Sequence, residues 1–450
     1  MKILLIIISM FSIVVSQVKF SPIIFLNYLS SGSDFQPSNN DVKIFGAGVN
    51  VRYQSKKLNI SAEFINHRLY GSSSRDSLHN FNSQQGLSWG ASNGNLGDSF
   101  DYDFANLNVR YKIDSAELFF GKMNPQWGAG HSKVILSDKS PSFPLFGYNW
   151  EVNNGLSTEY FHGQLNSLIQ DTSKDEYYTN DGERLITPDV SRSIAAHRFI
   201  WSPIKELSII CTETVIYGVR GMDFHYLMPL IPFWPLQHYL GDTDNLQMAG
   251  EIIYSPSSRL KFYGTIFMDE WAPDRTFKDD NHNWFAYQWG LTRLKLLNDF
   301  DQLRLEFTWT DSRIYHHRFK VNDYYSHNYP LGFWAGPHAE EIYISYNIHM
   351  FHMDWAANIS KAKRGEFTAL EDQYGDNKGA VKRYGGLVEE KLFIELEVKK
   401  PLYKTLFMKA GVSYVEWKNA GFSPENVILD NLRSIQKVSV NIFIGYQFIT

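Results

Sequence analysis

The chain has 450 residues and a formal net charge of −5, so it lacks the basic footprint that nucleic-acid binding needs. One cysteine excludes a disulfide framework and a cysteine-based zinc centre. Aromatic residues make up 16% and charged residues 20%, and mean hydropathy is below zero. That combination fits alternating apolar and polar strands, not buried helices.

The first element is a sorting signal. Lys2 precedes an apolar run from Ile3 to Val15, interrupted only by Ser9 and Ser12, and Val14 to Ser16 offers small residues for cleavage before Gln17. The run is shorter than the ~20 residues of a membrane helix. Residues 1–16 are therefore read as a signal peptide and 17–450 as one mature domain. Later in the chain the most apolar stretch, Tyr226 to Leu236, is broken by Pro229, Pro232 and Pro235. An exported chain of this kind crosses a bilayer only as a closed barrel.

Period-two segments then follow in order. Five lie near 20–28, 43–53, 57–67, 102–112 and 115–123. Twelve more lie near 156–170, 193–202, 205–217, 244–255, 258–270, 283–295, 300–312, 340–349, 353–362, 388–399, 404–417 and 434–449. In the last, Val438, Val440, Ile442, Ile444, Tyr446 and Phe448 share one face, opposite Ser439, Asn441, Gly445 and Gln447. Lengths of about ten residues with aromatic ends suit tilted membrane strands. Very short links alternate with long polar stretches such as 68–101, 171–192, 218–243 and 313–338. Parity requires one more strand between 123 and 156, and Val134 to Leu136 is its expected core despite Pro141 and Pro144. The fold class is an all-β, transmembrane antiparallel barrel of 18 strands, 16 being the alternative, with long extracellular loops. Strand charges such as Arg198, Arg293, Arg304, Glu306, Glu395 and Glu397 are expected to face and pair across the lumen. The aromatic final strand, ending near Phe448, is the expected contact for the barrel assembly machinery.

One segment is more specific than alternation. Between Phe120 and Pro144, the order of Trp127, Gly128, Gly130, Leu136, Ser137 and Pro144 resembles the WGxG…LxLS…P signature of the capsule assembly Wzi family of outer-membrane proteins. A second stretch runs through Glu213, Tyr217 to Gly221, Tyr226, Pro229, Asp244, Asn245, Tyr263, Gly264, Asp269 and Glu270, and resembles the Bacteroidetes-type branch of that family. Together they cover about 120–275. Asp138-Lys139 stands where the family signature has an Asn-Asn or similar pair, and nothing here matches the helical periplasmic element of enteric members. The resemblance implies an eighteen-stranded barrel that holds capsular or other surface polysaccharide.

Residue chemistry gives the loops a matching role. Trp127, Trp150, Trp234, Trp271 and Trp284 lie in or beside predicted loops. Sugar C–H faces pack on aromatic rings, and Asn124, Asp269, Glu270 and Asp274 offer partners for hydroxyls. The same tryptophans also read as girdle or loop-core residues. Asn124, Trp127, Asp269, Glu270 and Trp271 form the candidate polysaccharide site, while Gly128, Gly130, Leu136, Ser137, Pro144, Asp244 and Asn245 are read as structural. Gly128 and Gly130 permit close backbone approach, so this segment is expected to fold into the lumen, as is the Pro229 to Pro235 run. No catalytic residue, metal or cofactor is expected: His131-Ser132 and His197 make no recognisable triad, and His316-His317 and His349 with His352 match no zinc spacing. A diffusion porin and an outer-membrane lipid or glycan hydrolase are the alternative functions. Expected partners are surface polysaccharide, outer-membrane lipid and the assembly machinery, with no nucleic acid.

Overall fold

The computed structural model describes residues 18–30, 41–71, 99–177, 179–180, 183–184, 187–271, 273–275, 283–366, 383–403, 405–422 and 428–447. The signal segment 1–16 and Phe448 lie outside them. Eighteen strands form one sheet. They are β1 Val18–Leu29, β2 Val42–Gln54, β3 Leu58–Tyr70, β4 Ser99–Ile113, β5 Ala116–Met123, β6 Phe143–Asn153, β7 Leu156–Leu165, β8 Arg192–Ile204 and β9 Leu207–Gly218. The series continues with β10 Asn245–Ser257, β11 Leu260–Glu270, β12 Trp284–Leu294, β13 Asp301–Thr310, β14 Ala339–Met350, β15 Met353–Gly365, β16 Val388–Tyr403, β17 Leu406–Phe422 and β18 Ile428–Gln447. Each strand pairs antiparallel with its neighbours in the chain, and β1 closes on β18 from Ile23↔Gln447 to Leu29↔Asn441. Closure leaves no unpaired edge within the bilayer.

The alternation that predicts the strands also fixes which face meets lipid. On β18 Val438, Val440, Ile442 and Ile444 are exposed, whereas Ser439 is buried inside. On β13 Leu305 is exposed, while Glu306, Thr308 and Thr310 are buried. A one-residue slip would reverse every such choice, so the register is strongly determined. Short turns lie at the rim where β1 starts, for instance at Phe351-His352, both with positive φ (56° and 57°) as a two-residue hairpin turn requires. Arg198 pairs with Glu159 (2.8 Å) and Lys409 with Glu397 (3.3 Å), so these lumenal charges meet along the wall between neighbouring strands, not across the lumen. Arg293 departs from expectation. It pairs with Leu303 in the same outward phase as exposed Leu305, near the turn rim, where a cation costs ~0–1 kcal/mol.

The eighteenth strand is Phe143–Asn153, not a strand centred on Val134 to Leu136. Those three residues are fully buried within the barrel, where they belong to an apolar core with Trp127, Phe161, Phe267, Tyr315, Tyr324 and Trp334. Two segments build this core. Residues 124–142, between β5 and β6, fold inward as a plug, pinned on itself by a Trp127–Leu136 bridge. Residues 311–338, between β13 and β14, pack over it: Tyr315 donates to the Val134 carbonyl (2.7 Å), Tyr324 to that of Ile135 (3.1 Å), and the Ser137 amide donates to that of Leu331 (2.8 Å).

Wall carboxylates hold the plug by its main chain. Ala129 N–H donates to Glu251 (2.8 Å), and the amides of His131 and Ser132 donate to the two oxygens of Glu306 (2.7 Å each). The Ser132 hydroxyl donates to Glu341. Gly130 leaves room for these bonds: a Cβ would lie 2.4 Å from Gln288 Oε1 and 2.5 Å from Glu306 Oε2, so the ends of both side chains would have to shift away from the plug amides. Gly128, at φ 123°, supplies the preceding bend. Burial, with Lys139 and Arg304 nearby, pushes His131 down to about 3, so it stays neutral where it stacks on Tyr343.

The second proline-rich run departs from expectation in the opposite sense. Residues 219–244 do not enter the lumen. Tyr226 and Phe233 pack with Tyr160, Ala195, Val215 and Tyr217, which belong to the outward face of β7–β9. This strap contains a 3₁₀ turn, Phe224–Leu227, and the helix α1, Phe233–Tyr239.

Two outcomes follow for the plug. Wild-type protein in planar bilayers should conduct little, and Gly130→Val should give open-channel steps while the barrel keeps its heat-modifiable mobility; equal conductance of the two would remove the plug assignment. His131 has a folded pKa below its ordinary ~6.5, so its contribution is fully present above that pH and is lost as pH falls toward 3. Conductance should therefore rise on acidification, and less so in His131→Gln.

Candidate functional site

At the outer rim the strap, the tops of β10 and β11 and the 311–338 segment enclose a cleft of about 700 Å³. Trp234 and Gln237 of α1 line one side, Glu270 and Trp271 another, with His317 and Arg318 completing it. Trp234 is 56% exposed and Trp271 50%, so both rings are open to a ligand. Burial, with Arg318 alongside, pushes His317 below the usual histidine range. A neutral imidazole both donates and accepts, and the carboxylate and amide groups beside it add further hydrogen-bonding sites.

A hydrogen-bonded latch sets the strap in place. Arg220 donates through two nitrogens to Asp244 (2.9 and 2.6 Å) and through Nε to Asp223 (2.9 Å), and the Tyr226 hydroxyl donates to Asp244 (2.6 Å). Gln237 donates to the Asp244 carbonyl (2.8 Å), which ties α1 to the start of β10. Below, Glu213 accepts from the Phe233 amide (2.7 Å) and meets His197 (2.8 Å), whose other ring nitrogen meets the Pro229 carbonyl (2.7 Å). Burial acts to raise Asp223, yet bonds from His225 and Arg220 hold it below the usual carboxylate range.

The sequence-derived site residues divide between two places. Glu270, Trp271 and Asp269 line the cleft together with Asp244 and Asn245. Asp269 is nearly buried and accepts from the Tyr315 amide (2.5 Å) and Gln247 (3.1 Å), so it also seats the inward segment. Asn245 donates to the Asn322 carbonyl (2.8 Å) and does the same from β10. Trp127 is not at the rim with this group. It is 5% exposed, edge-on to Phe161 and beneath Arg198, whose guanidinium lies 4.9 Å from its ring. Asn124 donates to the Ser140 carbonyl (2.6 Å) and closes the base of the plug. Leu136 and Ser137 are buried in the plug, and Pro144 opens β6 opposite Lys122. Of the other tryptophans, Trp284 is buried and Trp150 sits on the outward side of β6 near the turn rim as a girdle residue. The sequence offers Trp234 as one of five loop tryptophans but does not join it to the site, and gives no signal for Gln237, His317 and Arg318. Among the described residues no group of three or more His, Cys, Asp or Glu is placed to hold a metal ion.

The latch generates a test. Asp244→Ala removes the acceptor shared by Arg220 and Tyr226, charge-assisted bonds of ~1.5–3 kcal/mol each before screening of the half-exposed guanidinium. Chymotryptic cleavage within 219–240 should then rise at least about tenfold, the factor of ~1.4 kcal/mol. Unchanged cleavage would mean that the strap is held elsewhere.

Comparison with known proteins agrees with this architecture. A search of curated proteins finds no match. Among solved structures the chain is similar to the Escherichia coli outer-membrane protein Wzi, described as a carbohydrate-binding β-barrel involved in group 1 capsule assembly: TM-score 0.61, 14% identity, covering 100% of this chain and 88% of that one. It is also similar to Pseudomonas aeruginosa OccK3 (OpdO), at TM-score 0.50 and 8% identity, covering 97% of each chain. At such identities these likenesses speak for the eighteen-stranded outer-membrane fold. The family model for capsule assembly protein Wzi matches residues 31–426, and the chain thus belongs to the Wzi capsule assembly family of the outer membrane.

Proposed function

We propose that the protein holds capsular or other surface polysaccharide at the outer face of the outer membrane, through the rim cleft and without catalysing a reaction. One observation carries the reading: two half-exposed tryptophans, Trp234 and Trp271, share a cleft with Glu270, Gln237 and His317 above a filled lumen. Aromatic faces take the C–H faces of sugar rings, and the polar groups take hydroxyls. A volume of about 700 Å³ suits a few sugar units, and a long polymer repeats a weak grip many times. The carbohydrate binding described for the Escherichia coli protein supports the same ligand class. A diffusion porin would need the open lumen that the plug occupies.

Trp127 contributes to this function through the plug, and Asn124 likewise; the ligand contacts are assigned to Trp234, Glu270 and Trp271. Trp234→Ala and Trp271→Ala should each weaken binding of purified polysaccharide about fivefold or more, in line with ~1 kcal/mol per aromatic contact. In cells the double variant should shift polysaccharide from the cell pellet to the medium at unchanged barrel abundance. Equal retention of polysaccharide by a complete deletion strain would overturn the proposal.

A further inference from the structure

The strap has the polarity of a membrane-inserted element, not of a surface loop. Within 219–240 the charged pair Arg220 and Asp223 turns inward to Asp244, Tyr217 and each other, with His225 beside Asp223, while the exposed His238–Asp242 pair lies on the cleft side. The outer side of the strap presents Met222, Phe224, Met228, Leu230, Ile231 and Tyr239, all exposed, with Phe224 at 81% and Leu230 at 59%. Contiguous apolar exposure of this kind marks an interaction surface.

The position of the strap on the wall says what covers it. Phe233 and Tyr226 sit on the outward side of β8 and β9, the side that carries exposed Phe199 and Cys211 one step, and Trp201 two steps, nearer the turn rim. The lipid-facing surface and the strap are therefore continuous. Height is the second argument. Below His197, which stacks on Phe233 (4.2 Å), β8 has only the seven residues Arg198 to Ile204. Seven residues at ~3.3 Å each, tilted by ~40°, rise ~18 Å, short of the ~25 Å apolar band of an outer-membrane barrel. On β9 the stretch below Glu213 is shorter still. The band over β8 and β9 reaches full height only when the exposed side chains of the strap are counted within it.

We propose that residues 219–240 form a membrane-inserted strap, whose Phe224, Leu230 and Ile231 side chains lie among the acyl chains of the outer leaflet. The occupant of this face is lipid. One wall of the rim cleft, the α1 side with Trp234, is thereby set at the bilayer surface.

The test places a fluorophore on single cysteines in a Cys211→Ser background, in vesicles of phosphatidylcholine and phosphatidylglycerol. Phe224→Cys and Leu230→Cys probe the strap, Phe199→Cys is the lipid-facing reference and Lys320→Cys the aqueous one. All four side chains are exposed in the fold, and heat-modifiable mobility verifies that each variant is assembled. The expected result is quenching of both strap probes by acyl-chain spin labels to the level of the Phe199 reference, with iodide quenching about fivefold below the Lys320 reference, as insertion of ~5–10 Å produces. Iodide quenching at the Lys320 level would overturn the proposal. So would protection from both quenchers, which would mean a protein cover such as a second copy.

Discussion

The structure rests on three wall carboxylates that accept hydrogen bonds from an irregular segment, two from its backbone amides and the third from a hydroxyl. An eighteen-stranded barrel is too wide for wall side chains alone to fill. A plug of non-repetitive chain brings amide groups that need partners, and buried carboxylates need donors in turn. Glu251, Glu306 and Glu341 meet both needs with the amides of Ala129, His131 and Ser132 and the Ser132 hydroxyl. Each such bond is worth ~1.5–3 kcal/mol. Once the plug is seated, Tyr315 and Tyr324 can bond its carbonyls, and the 311–338 segment has a floor. The rim cleft in turn depends on that segment for His317 and Arg318.

How much of this is legible in sequence follows from how local each signal is. Strand alternation is local, so the wall, its outward face and the strand number can be read from residues such as Val438 to Ile444. The position of the eighteenth strand cannot. Val134 to Leu136 and Phe143 to Leu145 are both short apolar runs, and only tertiary structure decides which one pairs with β5. Trp127 between a proline and two glycines has the local look of an exposed loop aromatic, yet those glycines serve its burial. Glu270 and Trp271 are legible because they end a strand at the rim. Trp234 faces them from a distant part of the chain, and no pattern of spacing joins the two.

The second family-like stretch finds its physical meaning in the strap. Glu213, Tyr217, Arg220, Tyr226, Pro229 and Asp244 supply the bonds that fix 219–244 to the outer wall. A loop that turns Arg220 and Asp223 inward and side chains such as Phe224 and Tyr239 outward requires such a latch. Without it the charged groups would be freed beside an apolar surface. Fixing the strap also orients α1, and so defines the width of the cleft.

The plug also dictates an order of events during assembly. It lies between the fifth and sixth strands, but its acceptors come 122 to 209 residues later in the chain. Bonds of such separation form late, since a long loop must close before they contribute. Until β14 is in place, the Trp127 and Val134 to Leu136 side chains have only the part of their core that β6 to β13 supply, and lack Phe333, Trp334 and the rest of the segment that packs over them. The interval between insertion of the early strands and arrival of the later ones is therefore the period in which this polypeptide is most vulnerable to aggregation and to envelope proteases.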